Sequence, residues 1–165
     1  MAGVLTDAAL AASVAVEAGE LLLEMRERMG FYDAYGLGDA GDMRANNLIL
    51  DRLHRARPHD AILSEEAVDD VSRVHADRVW IVDPVDGTYE YSMPGRADWA
   101  VHIALWQRSA GTLTDAAVAL PARGEVFRSD TVTPPPPRAD GPIRITASSN
   151  RPPAILWRIR DQLDV

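Results

Sequence analysis

One ten-residue segment, residues 79–88, restricts the fold of this chain more than any other. It begins with four apolar residues, 79–82, and changes at once to the sequence DPVDGT at residues 83–88. A short apolar run bounded by turn residues predicts a buried strand, and proline ends regular strand pairing. Gly87 lets the backbone approach a bulky anion, because glycine has no Cβ. The segment therefore predicts a buried strand whose end presents two carboxylates, a glycine and a hydroxyl group.

The two carboxylates of this turn, Asp83 and Asp86, are candidate metal ligands. They are close enough in sequence to share a cation, and Thr88 can hold a water molecule or a phosphate oxygen. Ligand sets made only of oxygen favour Mg²⁺ over Zn²⁺. The alternative is an ordinary polar turn at a strand end, because Asp, Pro and Gly are all common in turns.

Two further acidic sites lie upstream of this turn. Glu65 and Glu66 follow a short apolar run, and Asp42 precedes a helical pattern that predicts a helix over about residues 42–57. Taken alone, the glutamate pair also fits a solvated loop, and Asp42 also fits a helix N-cap. Acidic residues at the ends of three separate elements, however, favour a metal site that is assembled in space.

These segments resemble, in their order along the chain, the inositol monophosphatase superfamily of Mg²⁺-dependent, lithium-sensitive phosphatases. The matching residues are 41–42, 64–66 and 80–88. Residues 87–91 resemble the 3'(2'),5'-bisphosphate nucleotidase branch, the CysQ type, in which Glu and then an aromatic residue follow the Gly-Thr pair. Residues 94–106 are similar to actinobacterial members of that branch. The resemblance extends over nearly the whole chain.

The resemblance implies a role for each candidate site residue. Mg²⁺, as two or three ions, is expected to be held by Glu65, Asp83, the backbone carbonyl of Val85, and Asp86. Thr88, polarised by Asp42, is expected to orient the attacking water, which makes Asp42, Glu65 and Thr88 the catalytic residues. The substrate phosphate is expected to lie against Glu65, Asp86 and the Gly87 and Thr88 amides.

The implied reaction is hydrolysis of the 3'-phosphate of 3'-phosphoadenosine 5'-phosphate, or of its sulfated form, in sulfur assimilation. Two alternatives stay open. The first is an inositol-1-monophosphatase, although Glu90 stands where that branch tends to carry Asn. The second is a catalytically inactive fragment. The sequence therefore predicts the type of reaction, phosphate-ester hydrolysis, and leaves the choice of substrate open.

The resemblance also implies an α/β (α+β) fold, a layered helix–sheet sandwich of the inositol monophosphatase and fructose-1,6-bisphosphatase type. Residues 1–132 are expected to form the N-terminal metal-binding domain, and residues 133–142 a Pro-rich linker. Residues 143–165 are expected to be the first strand and helix of a truncated second domain. The family's second domain supplies another aspartate within a Trp-Asp motif. This chain lacks that motif, so weak Mg²⁺ binding and little turnover are expected of it alone.

Periodicity predicts the remaining elements. A first helix is expected from Thr6 or Asp7 to about Met29, and residues 31–41 are expected to form a loop. Strands are expected near residues 61–65, 78–83, 99–106, 114–120 and 125–129.

Composition limits the functional class of the 165 residues. The net charge of −8 argues against nucleic-acid binding through a basic face, and the absence of cysteine excludes disulfides and thiolate zinc sites. Acidic residues interrupt the apolar face of the N-terminal helix. This pattern argues against both a signal peptide and a membrane span. Together with the resemblance, which implies a small phosphate ester as substrate, these features lead us to expect a cytoplasmic protein without nucleic-acid or membrane partners. The resemblance also admits a homodimer.

Overall fold

The computed structural model of the chain describes residues 5–68, 70–137, 141, 144–147 and 152–163. Contacts divide the chain into two compact units, Met1–Val132 and Thr133–Val165. Nearly all of the regular structure lies in the first unit.

The described residues of the first unit form three α-helices and five strands. In chain order they are α1 (Asp7–Met29), α2 (Ala34–Ala56), β1 (Ala61–Ser64), β2 (Arg78–Asp86), α3 (Thr88–Tyr91), β3 (Ala100–Gln107), β4 (Thr112–Leu120) and β5 (Glu125–Arg128). Short 3₁₀ turns lie at Val71–His75 and Pro121–Arg123. The five strands predicted for this unit are all present, within a few residues of the expected bounds.

The five strands form one mixed sheet in the order β1-β2-β3-β4-β5. Strands β1 and β2 are parallel, and every other neighbouring pair is antiparallel. Because β1 and β2 are parallel, their carboxyl ends lie at the same edge of the sheet. This topology brings the residues after Ser64 next to the end of β2, and it confirms the predicted α/β class.

Helices α1 and α2 share one hydrophobic core with the sheet. Leu22 of α1 and Ile49 of α2 are fully buried in one cluster with Trp80 of β2 and Val101 of β3. Successive side chains of a strand point to opposite faces. Accordingly Trp80 and Val82 are buried, whereas Ile81 between them is 38% exposed. The buried side chains of β2 therefore anchor the strand in the core, and the side chains between them lie on the opposite face of the sheet.

Helix α1 begins and ends where the sequence predicts. The Thr6 hydroxyl accepts a hydrogen bond from the Ala9 N–H at 3.2 Å, which caps the first turn. Gly30, with φ of 64°, ends the helix.

Helix α2, in contrast, begins at Ala34, whereas we predicted a start at Asp42. Its N-cap is Asp33, whose side chain accepts a hydrogen bond from the Gly36 N–H at 2.9 Å. The three glycines of residues 36–41 predict a loop, because glycine disfavours helix interiors. The prediction was wrong because Gly38 and Gly41 are required by tertiary packing. A Cβ on Gly41 would lie 2.5 Å from a Tyr91 ring carbon.

In the second unit, the predicted helix is present as α4 (Ile155–Leu163). The strand predicted to follow residue 143 is absent from the described residues 144–147, which have no regular structure. One strand alone cannot satisfy its backbone hydrogen bonds or bury a face, which accounts for the difference. Residues 143 and 148–151 lie outside the described part.

None of the described helices is long and apolar enough to cross a membrane.

Candidate active site

The end of β2 contains a β-bulge that decides where its carboxylates point. Asp83 is paired with His102 of β3, and Asp86 is paired with Ala100. Strand β2 thus advances three residues while β3 advances two, so β2 contains one extra residue. In a regular strand, residues three apart point to opposite faces. The bulge instead brings Asp83 and Asp86 to the same face of the sheet.

The surroundings of Asp83 raise its pKa to about 6. Burial is the largest cause, because it disfavours the charged form, and the nearby carboxylates of Glu65 and Asp86 raise the pKa further. His102 and the hydrogen bond from the Val85 backbone act in the opposite direction. Asp83 is therefore in electrostatic contact with both of the other predicted carboxylate ligands.

Asp42 lies within helix α2, and its side chain contacts Thr88. The Thr88 hydroxyl lies 3.4 Å from Asp42 Oδ1 and 3.2 Å from the Val85 carbonyl oxygen. A hydroxyl has only one proton to donate, so Thr88 shares it between the two or alternates between them. The contact joins the middle of one helix to the start of another, 46 residues away in sequence.

Asp42 itself is 9% exposed, and burial is the main reason that its pKa rises to about 7. The carboxylate of Glu66 raises the pKa next most strongly, and Asp83 and Glu65 add to the effect. The hydrogen bond with Thr88 lowers it. Three other carboxylates therefore act electrostatically on Asp42, which itself contacts the Thr88 hydroxyl.

The turn between β2 and α3 requires glycine. Gly87 has φ of 86°, in the left-handed region that other residues rarely adopt, and its carbonyl accepts the Tyr91 N–H at 2.8 Å. Space around the turn is also limited, because a Cβ on Gly38 of α2 would lie 3.0 Å from Thr88 Cγ2. Two glycines thus allow Thr88 to lie directly against α2.

The acidic pair after β1 is positioned by buried polar contacts. The Ser64 hydroxyl donates to Asn46 Oδ1 at 2.7 Å, and both residues are buried. The Glu65 N–H donates to the Val82 carbonyl at 3.2 Å and so extends the pairing of β1 with β2. The side chains of Glu65 and Glu66 are exposed. Their backbone is therefore fixed beside β2 while their carboxylates remain accessible.

The structure brings together the predicted residues Asp42, Glu65, Asp83, Asp86 and Thr88, with the Val85 carbonyl and Gly87 in the same turn. Among the described residues, however, no three His, Asp or Glu side chains form a group that could bind a metal ion by themselves. A cation site here would therefore need the Val85 carbonyl oxygen or water in addition to carboxylates. Carboxylate and carbonyl oxygens are the ligands that Mg²⁺ prefers.

Sequence reasoning missed two contributors to this region. His102 lies 3.2 Å from Asp86 Oδ2 through its Nε2 atom. Asn46 supports the turn after β1 through Ser64. Neither contact could be found from spacing, because both partners of each pair are separated by at least 16 residues.

Comparison with known proteins places this arrangement in a family. Residues 6–132 match the inositol monophosphatase family. The chain belongs to that family. Phosphatases of this family use Mg²⁺, in agreement with the oxygen-rich site at the end of β2.

Two relatives share a functional name. The chain is 59% identical over 171 residues to a protein of Mycobacterium leprae (strain TN) named 3'-phosphoadenosine 5'-phosphate phosphatase. That match covers 98% of this chain and 63% of the relative. A protein of the same name from Mycobacterium bovis is 58% identical over 155 residues, which cover 90% of this chain and 58% of that protein. The chain thus spans about three fifths of the length of these curated relatives.

Solved structures agree with the fold. The crystal structure of CysQ from Bacteroides thetaiotaomicron, a bacterial member of the inositol monophosphatase family, is 28% identical with a TM-score of 0.64. The match covers 74% of this chain and 45% of that one. Inositol monophosphatase II from Staphylococcus aureus shares the fold at 20% identity and a TM-score of 0.73, covering 93% of this chain and 62% of that one.

Proposed function

We propose that this chain carries the metal-binding and water-orienting part of a Mg²⁺-dependent phosphomonoesterase that removes the 3'-phosphate of 3'-phosphoadenosine 5'-phosphate, or of its sulfated form. The observation that supports the chemistry is the contact of Thr88 with Asp42 beside the coupled carboxylates at the end of β2. The observation that supports the substrate is the name shared by two relatives at 58% and 59% identity.

Each predicted residue has a role in this proposal. Glu65, Asp83, the Val85 carbonyl and Asp86 would hold Mg²⁺, which when bound neutralises phosphoryl oxygens and acidifies water. Thr88 would orient the attacking water through its hydroxyl, since the ionised Asp42 accepts the Thr88 proton and leaves the oxygen lone pairs free for a water proton. The Gly87 and Thr88 amides, with Glu65 and Asp86, would border the phosphate.

Further properties belong to the same proposal. We expect two or three Mg²⁺ ions, inhibition by lithium, a homodimer, and a cytoplasmic location. Because the chain spans about three fifths of its relatives' length, we also expect its activity alone to be low. A Mg²⁺ site made of this chain's ligands lacks the further aspartate that the Trp-Asp motif supplies in the family.

The test measures release of inorganic phosphate from 3'-phosphoadenosine 5'-phosphate and, separately, from inositol 1-phosphate. Each assay is run with and without Mg²⁺. It is repeated after addition of a separately produced polypeptide that corresponds to the portion of the Mycobacterium leprae relative that this chain does not match. We expect Mg²⁺-dependent release from the nucleotide, and a large increase when that polypeptide is added. Calorimetric titration of the chain with Mg²⁺ measures the metal site independently of turnover.

Different results would contradict different parts of the proposal. Faster hydrolysis of inositol 1-phosphate would replace the substrate and leave the site intact. Absence of Mg²⁺ binding in calorimetry, together with absence of turnover in the completed mixture, would favour a catalytically inactive protein. Full activity of the 165-residue chain alone would show that no further aspartate is needed.

A further inference from the structure

His102 occupies a position in β3 that reaches both acidic residues at the end of β2. In the sheet it is the cross-strand partner of Asp83. Its Nε2 atom lies 3.2 Å from Oδ2 of Asp86, on the other side of the bulge. Directly opposite residues of an antiparallel pair have neighbouring side chains on the same face. One imidazole therefore spans the bulge and lies beside both carboxylates.

The direction of the contact with Asp86 follows from its chemistry. An ionised carboxylate only accepts hydrogen bonds, so His102 must carry the proton on Nε2 and donate it to Oδ2. Within the described residues, the other oxygen of Asp86, Oδ1, has no hydrogen-bond partner. The bond thus engages one oxygen of the carboxylate and leaves the other available.

The backbone that carries His102 is rigid, although the pair itself is accessible. His102 is flanked by Val101 and Ile103, which are both fully buried, whereas the His102 and Asp86 side chains are 41% and 62% exposed. Exposed pairs contribute little to stability. A role in folding therefore does not account for this contact, and replacement of His102 is expected to leave the protein folded.

We propose that His102 is a positioning residue that holds Asp86 through the Nε2–Oδ2 hydrogen bond and leaves Oδ1 available to a divalent cation. The inference rests on the proposed function, because it assigns a task within that metal site. Groups that hydrogen-bond a metal-binding carboxylate orient it and reduce the freedom that it loses on binding. His102 would thus act on metal affinity through Asp86 without touching the substrate.

Two substitutions separate this role from a merely structural one. The side-chain nitrogen of Gln is the same number of bonds from Cα as His Nε2, so His102→Gln can keep the donor near Asp86. The side-chain nitrogen of Asn corresponds instead to Nδ1, so His102→Asn keeps a polar donor but places it too near the backbone. A role that depends only on polarity would not distinguish these two variants.

The experiment is calorimetric titration of the wild-type chain and both variants with Mg²⁺, in the absence of substrate. We expect His102→Asn to raise the Mg²⁺ dissociation constant about 10-fold, and His102→Gln to raise it only about 2-fold. Thermal unfolding without Mg²⁺ should be nearly the same for all three proteins. A long-range ¹H–¹⁵N spectrum of the metal-free wild type should show a proton on His102 Nε2.

The outcomes are distinguishable from those of the functional test. Equal Mg²⁺ affinity in the wild type and both variants, or equal weakening in both variants, would overturn the role of His102 alone. A proton on Nδ1 only would also overturn it. A wild-type chain that binds no Mg²⁺ would overturn the metal site and this inference with it.

Discussion

The two ends of strand β2 differ in how they accommodate acidic side chains. At the start, Arg78 Nε donates to Asp60 Oδ1 at 2.9 Å, and the Trp80 indole donates to Asp60 Oδ2 at the same distance. Arg78 also reaches Asp7 Oδ2 at 2.9 Å, and Arg57 reaches Asp7 Oδ1 at 2.8 Å. Both carboxylates at this end are thus matched by guanidinium groups.

At the other end of β2 the carboxylates act on one another. Asp83 is surrounded by Glu65 and Asp86, and Asp42 by Glu66, Asp83 and Glu65. In the described part of the chain, no arginine forms an ion pair with Asp42 or Asp83. The pKa values of these two residues are accordingly raised to about 7 and about 6.

The contrast shows which acidic residues serve the fold and which are available for function. Fold-stabilising carboxylates are paired with fixed cations, because an unpaired buried charge is costly. Carboxylates that repel one another destabilise the protein unless a mobile cation joins them, and such sites are frequently functional. The chain therefore carries a structural ion network and a candidate cation site on one strand.

Among the substitutions proposed below, Asp83→Asn, at the carboxyl end of β2, should have the strongest effect. Loss of this charge should weaken Mg²⁺ binding and Mg²⁺-dependent phosphate release by at least about 100-fold, because even groups that only orient a ligand cost up to about that factor. The metal-free protein should remain folded. Calorimetry with Mg²⁺ and the phosphate-release assay measure the two quantities.

The matched substitution at the other end is Asp60→Asn. It removes one of the two carboxylates, Asp60 and Asp7, that Arg78 contacts at 2.9 Å. We therefore expect the free energy of unfolding to fall by about 2 to 3 kcal/mol, while Mg²⁺ affinity stays unchanged. Chemical denaturation followed by tryptophan fluorescence measures the loss. Glu24→Gln, which removes an exposed pair with Arg28, is the control and should cost less than about 0.5 kcal/mol. A loss of Mg²⁺ binding in Asp60→Asn would mean that the two ends are not separate.

Local sequence patterns correctly predicted most of the helices and strands of the first unit. Helix α1 was predicted with its cap at Thr6, and the strands were predicted within a few residues, because periodicity and turn residues are local signals. The start of α2 was predicted incorrectly because Gly38 and Gly41 were interpreted as loop residues. Their conformation is decided by contacts with Thr88 and Tyr91, far away in sequence.

Prediction of the candidate site was limited in the same way, because contacts distant in sequence could not be predicted. Asp83, Asp86 and Thr88 could be selected from one turn, and Glu65 and Asp42 came from the resemblance as well as from their positions at predicted element ends. The bulge that turns Asp83 and Asp86 to one face exists only in the pairing of β2 with β3. The contact of His102 with Asp86 depends on that same register. Features that arise from the pairing of two strands cannot be predicted from the residue spacing within one of them.

The weakest of the predicted effects is a dependence of stability on pH. The folded-state pKa of Asp42 is about 7, well above the ordinary value of 3.8, so the native state holds a proton that the unfolded chain releases near pH 4. The stabilisation that this proton provides is complete below the unfolded pKa and is lost as the pH rises through about 7. Metal-free protein should therefore lose about 2 kcal/mol of unfolding free energy between about pH 5 and pH 8, with Asp83 adding in the same direction.

Asp42→Asn isolates this contribution, because an amide cannot ionise. Near pH 5 the variant should match the wild type in stability. Near pH 8 the variant should be more stable by about 1 to 2 kcal/mol, since its neutral side chain avoids the repulsion from Glu66 and Asp83. Denaturant titrations of both metal-free proteins at the two pH values measure the difference. If both proteins lost the same stability between the two pH values, ionisation of Asp42 would cost nothing in the native state. The carboxylates near the carboxyl end of β2 would then not differ electrostatically from the paired carboxylates at its start.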